Sequence, residues 1–125
     1  MMYRERIIHN YINGYNSFAI DKMVADFDDN IKFENIQNGQ INLSLEGVEA
    51  FKQQAESAKS YFVTRQQIIK SIKHLDNITE IEVDYKAVLA MDLPNGMKSG
   101  QELMLTGKSV FEFANNKINK LTDIS

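Results

Sequence analysis

The sequence predicts one α+β domain: three helices of the N-terminal half packed on a strongly curved, mixed or antiparallel sheet of about six strands, with a pocket inside. Three observations predict it. Apolar residues recur at helical spacing only in the first half of the chain, with period-two alternation taking over most of the rest. Turn residues punctuate the alternating stretches at regular intervals. Several of those stretches are too long to lie flat beside one another.

The elements follow in order. Ile8, Tyr11, Ile12 and Tyr15 fall at i, i+3, i+4 and i+7, one apolar stripe on a helix of about three turns. Asn13-Gly14 weakens its end and Asn16-Ser17 breaks it. A shorter helical stripe, Ile20, Met23, Val24 and Phe27, stops at Asp28-Asp29-Asn30, whose side chains compete for backbone groups. Ile31, Phe33 and Asn35 then alternate with Lys32 and Glu34. Asn38-Gly39 is a strong hairpin signal, and Ile41, Leu43 and Leu45 form the returning strand.

Gly47 caps a third helix, with Val48, Phe51, Ala55, Ala58 and Phe62 on its narrow apolar face. A strand from about Val63 to Leu75 turns at Asp76-Asn77. The next alternates cleanly, Ile81, Val83, Tyr85, Ala87, Leu89 and Met91 on one side, Glu80, Glu82, Asp84 and Lys86 on the other. Pro94-Asn95-Gly96 turns the chain into a strand from about Gly100 to Phe113. Asn115-Asn116 leads to a last strand through Ile118 to Ile124. Long strands inherit twist, and Gly100 and Gly107 are natural bend points, so the sheet curls. Helices closing its concave side leave an interior that side chains need not fill.

Composition excludes several functions. The 125 residues fit a single domain spanning 1–125, with 43% hydrophobic and 25% charged residues and a net charge of −3. The densest basic run, Lys70-Ser71-Ile72-Lys73-His74, is too sparse for nucleic-acid binding. Absence of cysteine excludes disulfides, thiol catalysis and zinc–thiolate sites, and fits a cytoplasmic protein. The longest apolar run, Ala87 to Met91, cannot span a bilayer, and the first residues lack a signal-peptide core. Two histidines without clustered acids make a poor metal site, and no cofactor is expected. Asp26-x-Asp28-x-Asn30 imitates the start of a calcium loop but lacks its glycine and closing glutamate.

Tyr11-Ile12-Asn13-Gly14-Tyr15-Asn16 followed by Asp21-Lys22-Met23, then Asp28 to Glu34, then Leu45-Glu46-Gly47-Val48-Glu49-Ala50-Phe51, resemble the successive elements of the nuclear transport factor 2-like superfamily. The likeness is nearest to its SnoaL-like branch, named for polyketide cyclases. It implies a cone-shaped fold, a small apolar or aromatic ligand and homodimerisation through the sheet. Ketosteroid isomerases of that superfamily use a carboxylate base with an oxyanion hole of tyrosine and protonated aspartic acid. Tyr11 stands at the tyrosine position, but Asn35 replaces the base and Ser109 the acid. Glu34, beside Asn35, points to the opposite face. Isomerase chemistry of that kind is not expected here.

The remaining candidates follow from position. Tyr11, Tyr15, Phe33, Asn35, Phe51, Phe62, Tyr85, Met91, Ser109 and Phe111 are expected to line or plug the pocket. Asp123, on the face of Leu121, is the best remaining acid–base group, and His74 is a second. Met104 has the parity opposite to Leu103 and Leu105, as if both faces of its strand were covered. Three functions stay open: a small-molecule-binding domain, a cofactor-free isomerase or cyclase, and a dimerisation module with a filled interior. The number of ionisable groups facing a cavity separates them.

Overall fold

The protein is described here by a computed structural model over residues 2–125. Helix α1 spans Met2–Asn16, α2 Ile20–Met23 and α3 Val48–Lys59. The strands are β1 Phe27–Gln37, β2 Gln40–Glu46, β3 Phe62–Leu75, β4 Ile78–Leu89, β5 Glu102–Ala114 and β6 Lys117–Ile124. They form one sheet in the order β2-β1-β6-β5-β4-β3. Pairing is antiparallel except between β1 and β6, where the last strand inserts parallel to the first. The α+β expectation holds, and the sheet is mixed and open rather than closed.

Turn chemistry accounts for the hairpins. Asn38 and Gly39 both have positive φ, 53° and 78°, and Gln37 pairs with Gln40 across them. Asn115 and Asn116 adopt the same region, at 53° and 63°, between Ala114 and Lys117. Two residues of positive φ give the turn whose twist matches that of the flanking strands. Gly47, at φ 89°, donates its N–H to Ile31 O at 2.8 Å, which fastens the start of α3 to β1.

Several boundaries differ from the sequence reading. Phe27 opens β1 instead of closing α2, and Asp28-Asp29-Asn30 lies within that strand. There Asp28 Oδ1 accepts from the Asn30 N–H at 2.8 Å, and the pairing with β6 is interrupted between Phe27 and Lys32. The local turn tendency is expressed as an irregularity in a strand. Phe62 begins β3 because α3 stops at Lys59. Strand β4 ends at Leu89, so Met91 falls in a bend, 38% exposed. Met104 is 66% exposed on the outer face of β5, uncovered within the single chain.

The core lies between the helices and the concave face. Ile8 of α1 and Ile81, Phe111, Ile118 and Leu121 of the sheet are fully buried. Tyr11 stacks on Phe27 and meets Phe111 edge-on, with centroids 5.8 and 5.7 Å apart, while Phe51 meets Phe27 and Phe33 edge-on at 4.9 and 5.4 Å. Such aromatic pairs add about 0.5–1.5 kcal/mol each beyond the area they bury. Arg4 is buried at the start of α1, where its guanidinium donates to the carbonyls of Leu75, Asp76 and Ile78 and lies over the Phe113 ring. It fixes α1 to the β3–β4 hairpin.

Gly14 sets how closely the first two helices approach. A Cβ there would lie 2.8 Å from Met23 N and 3.1 Å from Ala19 O, both backbone atoms. Gly14→Ala is therefore expected to destabilise the fold by about 1–3 kcal/mol through overpacking. Urea unfolding monitored by circular dichroism measures it, and a midpoint equal to wild type would contradict this packing.

Candidate functional site

One rung of the sheet gathers the polar candidates. Leu43 of β2 pairs with Asn35 of β1, Asn35 with Asp123 of β6, Asp123 with Ser109 of β5, and Ser109 with Ile81 of β4. The neighbouring rung on the same face, Leu45, Phe33, Leu121, Phe111 and Thr79, is apolar except at Thr79. Strand side chains alternate, so both rungs point at the helices. Three polar side chains thus sit side by side in an otherwise apolar wall.

Above them lies a hollow of about 180 Å3. Its walls include Tyr11, Tyr15, Phe33, Asn35 and Asp123, with Phe51, Gln54, Ala55 and Ala58 of α3 and Phe62 at the start of β3. The small residues of α3 leave room where larger ones would fill it. A second hollow of about 190 Å3 shares Tyr15, Asn35 and Asp123 and adds Tyr85, Gly107 and Ser109. Gly107, with no side chain, leaves the sheet floor open between Leu105 and Ser109. A larger depression of about 570 Å3 lies across exposed Asn38, Lys86 and Met104. Neither Asp123 nor Arg65 lines it.

Asp123 is the chemical centre of this arrangement. Ser109 Oγ donates to Asp123 Oδ1 at 2.6 Å, and Oδ2 has no protein partner among the described residues. Burial pushes the carboxyl up from its usual 3.8 to about 6, against the opposing pull of the Ser109 hydrogen bond. Tyr11 is raised well above the ordinary phenol range, first by burial and then by the Asp123 charge, while Arg65 pulls the other way. The Tyr11 hydroxyl has no hydrogen-bond partner among the described residues. Tyr15 donates to the Tyr85 hydroxyl at 2.8 Å, and burial raises both phenols. Asn35 donates to Asn42 Oδ1 at 2.7 Å, which holds its amide at the rim.

The other candidates lie elsewhere. Phe111 is fully buried between the helices and the sheet and lines neither hollow. Met91 lines neither. His74 contacts Thr79 Oγ1 at 2.9 Å and Glu5 Oε2 at 3.0 Å beneath α1. That imidazole holds the Glu5 carboxyl below its usual range and is occupied in joining α1 to the sheet. Among the described residues no cluster of three or more His, Cys, Asp or Glu could hold a metal, and no helix is long and apolar enough to cross a membrane.

No family model matches the sequence, and no curated protein matches it. Solved structures do match. A candidate polyketide cyclase from Xanthomonas campestris pv. campestris aligns with a TM-score of 0.83 at 17% identity, over 99% of this chain and 90% of the other. A candidate SnoaL-like polyketide cyclase from Jannaschia sp. CCS1 aligns at 0.81 with 10% identity, over 98% and 84%. The chain has the SnoaL-like, nuclear transport factor 2-like fold. TerC, co-crystallised with polyporic acid, aligns at 0.78 with 10% identity, over 98% of this chain and 90% of its own. Identities this low establish the SnoaL-like fold and carry no chemistry with them.

Sequence reasoning missed Arg65. It is 4% exposed, lines the first hollow, donates Nε to Tyr15 O at 2.8 Å, and lies over the rings of Tyr15 and Phe18 at 3.8 and 4.5 Å. Its only available signal was parity, since Arg65, Gln67 and Ile69 alternate onto one face of β3. An arginine on a strand is ordinarily assigned to the solvated side.

The raised Asp123 pKa has a sign for stability. The unfolded carboxyl ionises near 4 and the folded one near 6, so its favourable contribution is complete below pH 4 and lost as pH rises through 6. Asp123→Asn is expected to stabilise the fold by about 1–3 kcal/mol at pH 8 and by nothing comparable at pH 4. Melting temperatures of both proteins at the two pH values check this. Equal differences at both would contradict a desolvated, proton-seeking Asp123.

Proposed function

We propose that the first hollow binds a small apolar or aromatic molecule and that Asp123 transfers a proton to or from it. The observation carrying this reading is the Asp123 carboxyl on the wall of the hollow, hydrogen-bonded through one oxygen only and raised to about 6. A carboxyl of that pKa is mostly ionised at neutral pH yet close enough to exchange its proton readily, the condition for a general base. The Tyr11 hydroxyl, without a protein partner, offers the donor that an oxygen on the ligand would require. Aromatic walls supply apolar binding at both ends. The polyporic acid co-crystallised with TerC and the candidate cyclases of like fold support a cyclic organic ligand. On this reading the domain is a cofactor-free acid–base catalyst of the isomerase or cyclase kind.

The interior sets a size limit. A cavity of about 150 Å3 accommodates a benzene-sized guest, so the first hollow takes one ring, and a larger ligand would extend past Asp123 into the second. Carboxyl-detected NMR titration tests the reading. One aspartate is expected to titrate near pH 6, to vanish in Asp123→Asn, and to shift when indole or cyclohexenone is added. A normal midpoint near 4 with no response to either compound would remove it.

The same proposal includes a homodimer through the outer sheet face. Met104 is the support, with Ile68, which shares that face through the Ile68–Asp84–Thr106 register and is 37% exposed. Sedimentation at micromolar concentration should give twice the chain mass, reduced by Met104→Glu; a monomer mass for the wild type would discard the dimer.

A further inference from the structure

The guanidinium of Arg65 lies in the wall of the ligand hollow with its charge unanswered. Among the described residues it forms no ion pair, and its Nη2 is buried with no hydrogen-bond partner. Burying a cation without a counter-charge is among the costlier arrangements a fold can hold. Two contacts offset part of the cost: Nε serves the Tyr15 carbonyl near the C-terminal end of α1, where positive charge is favoured, and the guanidinium stacks on Tyr15 and Phe18. Neither contact supplies an anion.

The surroundings supply none either. The phenols of Tyr11, Tyr15 and Tyr85 each feel Arg65, and burial raises all three, so none of them supplies an anion. Asp123 lies on the same hollow but is perturbed only by burial and by Ser109. The cation and the carboxyl thus line one hollow together with Tyr11, and the described residues show no ion pair between them. A missing anion beside an aromatic hollow of one-ring size is a description of a ligand.

Resting on the binding reading above, we propose that the ligand is a small aromatic acid whose anionic oxygen group is received by the Arg65 guanidinium while its ring fills the hollow and reaches Asp123. An N–H of a desolvated guanidinium prefers a charged oxygen, and such bonds are about twice as strong as neutral ones. The arrangement orients the molecule: the anion is fixed at the Arg65 end, and the far side of the ring lies where Asp123 and Tyr11 act. A neutral molecule of the same shape would leave the guanidinium without a counter-charge, which gives the hollow its selectivity.

The test is calorimetric titration with benzoate and with benzamide, its neutral isostere. Wild type is expected to bind benzoate at least about tenfold more tightly than benzamide, a difference of about 1.4 kcal/mol. Arg65→Gln should remove that preference while retaining weak benzamide binding, and Arg65→Lys should restore part of it. Equal affinity for the two compounds in the wild type would overturn the acid proposal and leave the binding reading standing. So would a benzoate preference that survives in Arg65→Gln. Binding of neither compound at millimolar concentration would overturn both. Because Arg65 also serves Tyr15, each variant is first checked by its melting curve; if Arg65→Gln does not fold, the wild-type benzoate-to-benzamide ratio decides alone.

Discussion

The parallel insertion of β6 between β1 and β5 is the constraint on which the site depends. It is the one pairing that hairpin formation does not provide, since its partner β1 lies some eighty residues earlier in the chain. Once made, it fixes Asn35, Asp123 and Ser109 on a single rung. A slip of one residue would turn Asp123 outward and bring Thr122 or Ile124 into its place, because strand side chains alternate. The fully buried Ile118 and Leu121 resist such a slip, as it would expose the core. Core packing thereby fixes the position of a polar group that contributes nothing to the core.

That group costs stability at neutral pH, and so does Arg65. Arg65 is buried and Asp123 partly so, and the two form no ion pair with one another. A chain optimised for stability alone would pair them or replace them with apolar side chains of similar volume. By contrast Arg4, equally buried, donates both terminal nitrogens to three carbonyls and lies over an aromatic ring, with only its Nε left without a partner, and reads as a structural clasp. The two arginines differ in which nitrogens the fold uses: both terminal nitrogens of Arg4, but only the Nε of Arg65. Unspent capacity at two residues of one hollow is what a site for an oriented ligand requires.

Much of this was legible in the sequence, for physical reasons. Asn38-Gly39 and Asn115-Asn116 announce their turns because few residues tolerate positive φ. The alternation from Ile81 to Leu89 marks a strand with one buried face. Asp123 was legible as a candidate through its parity with Leu121, and Asn35 and Ser109 through the resemblance. Other features depended on tertiary context. Phe27 and Phe62 continue helical stripes, yet each begins a strand, since a stripe records which residues are apolar and not where the backbone changes direction. Met91 prolongs an alternating pattern past the point where β4 ends. Arg65 was illegible because local pattern cannot distinguish a solvated arginine from one held beneath a helix. His74 looked chemically available, but Glu5, from α1, and Thr79, across the β3–β4 hairpin, occupy its two nitrogens.

The central claim is that a hollow survives between α3 and the rung of Asn35, Asp123 and Ser109. Diffraction from a xenon-pressurised crystal tests it most directly, because the gas reports empty apolar volume without relying on any choice of ligand. The account predicts a xenon peak bounded by Phe33, Phe51, Phe62 and Asp123. Side chains closed over that position, with no peak there, would contradict it.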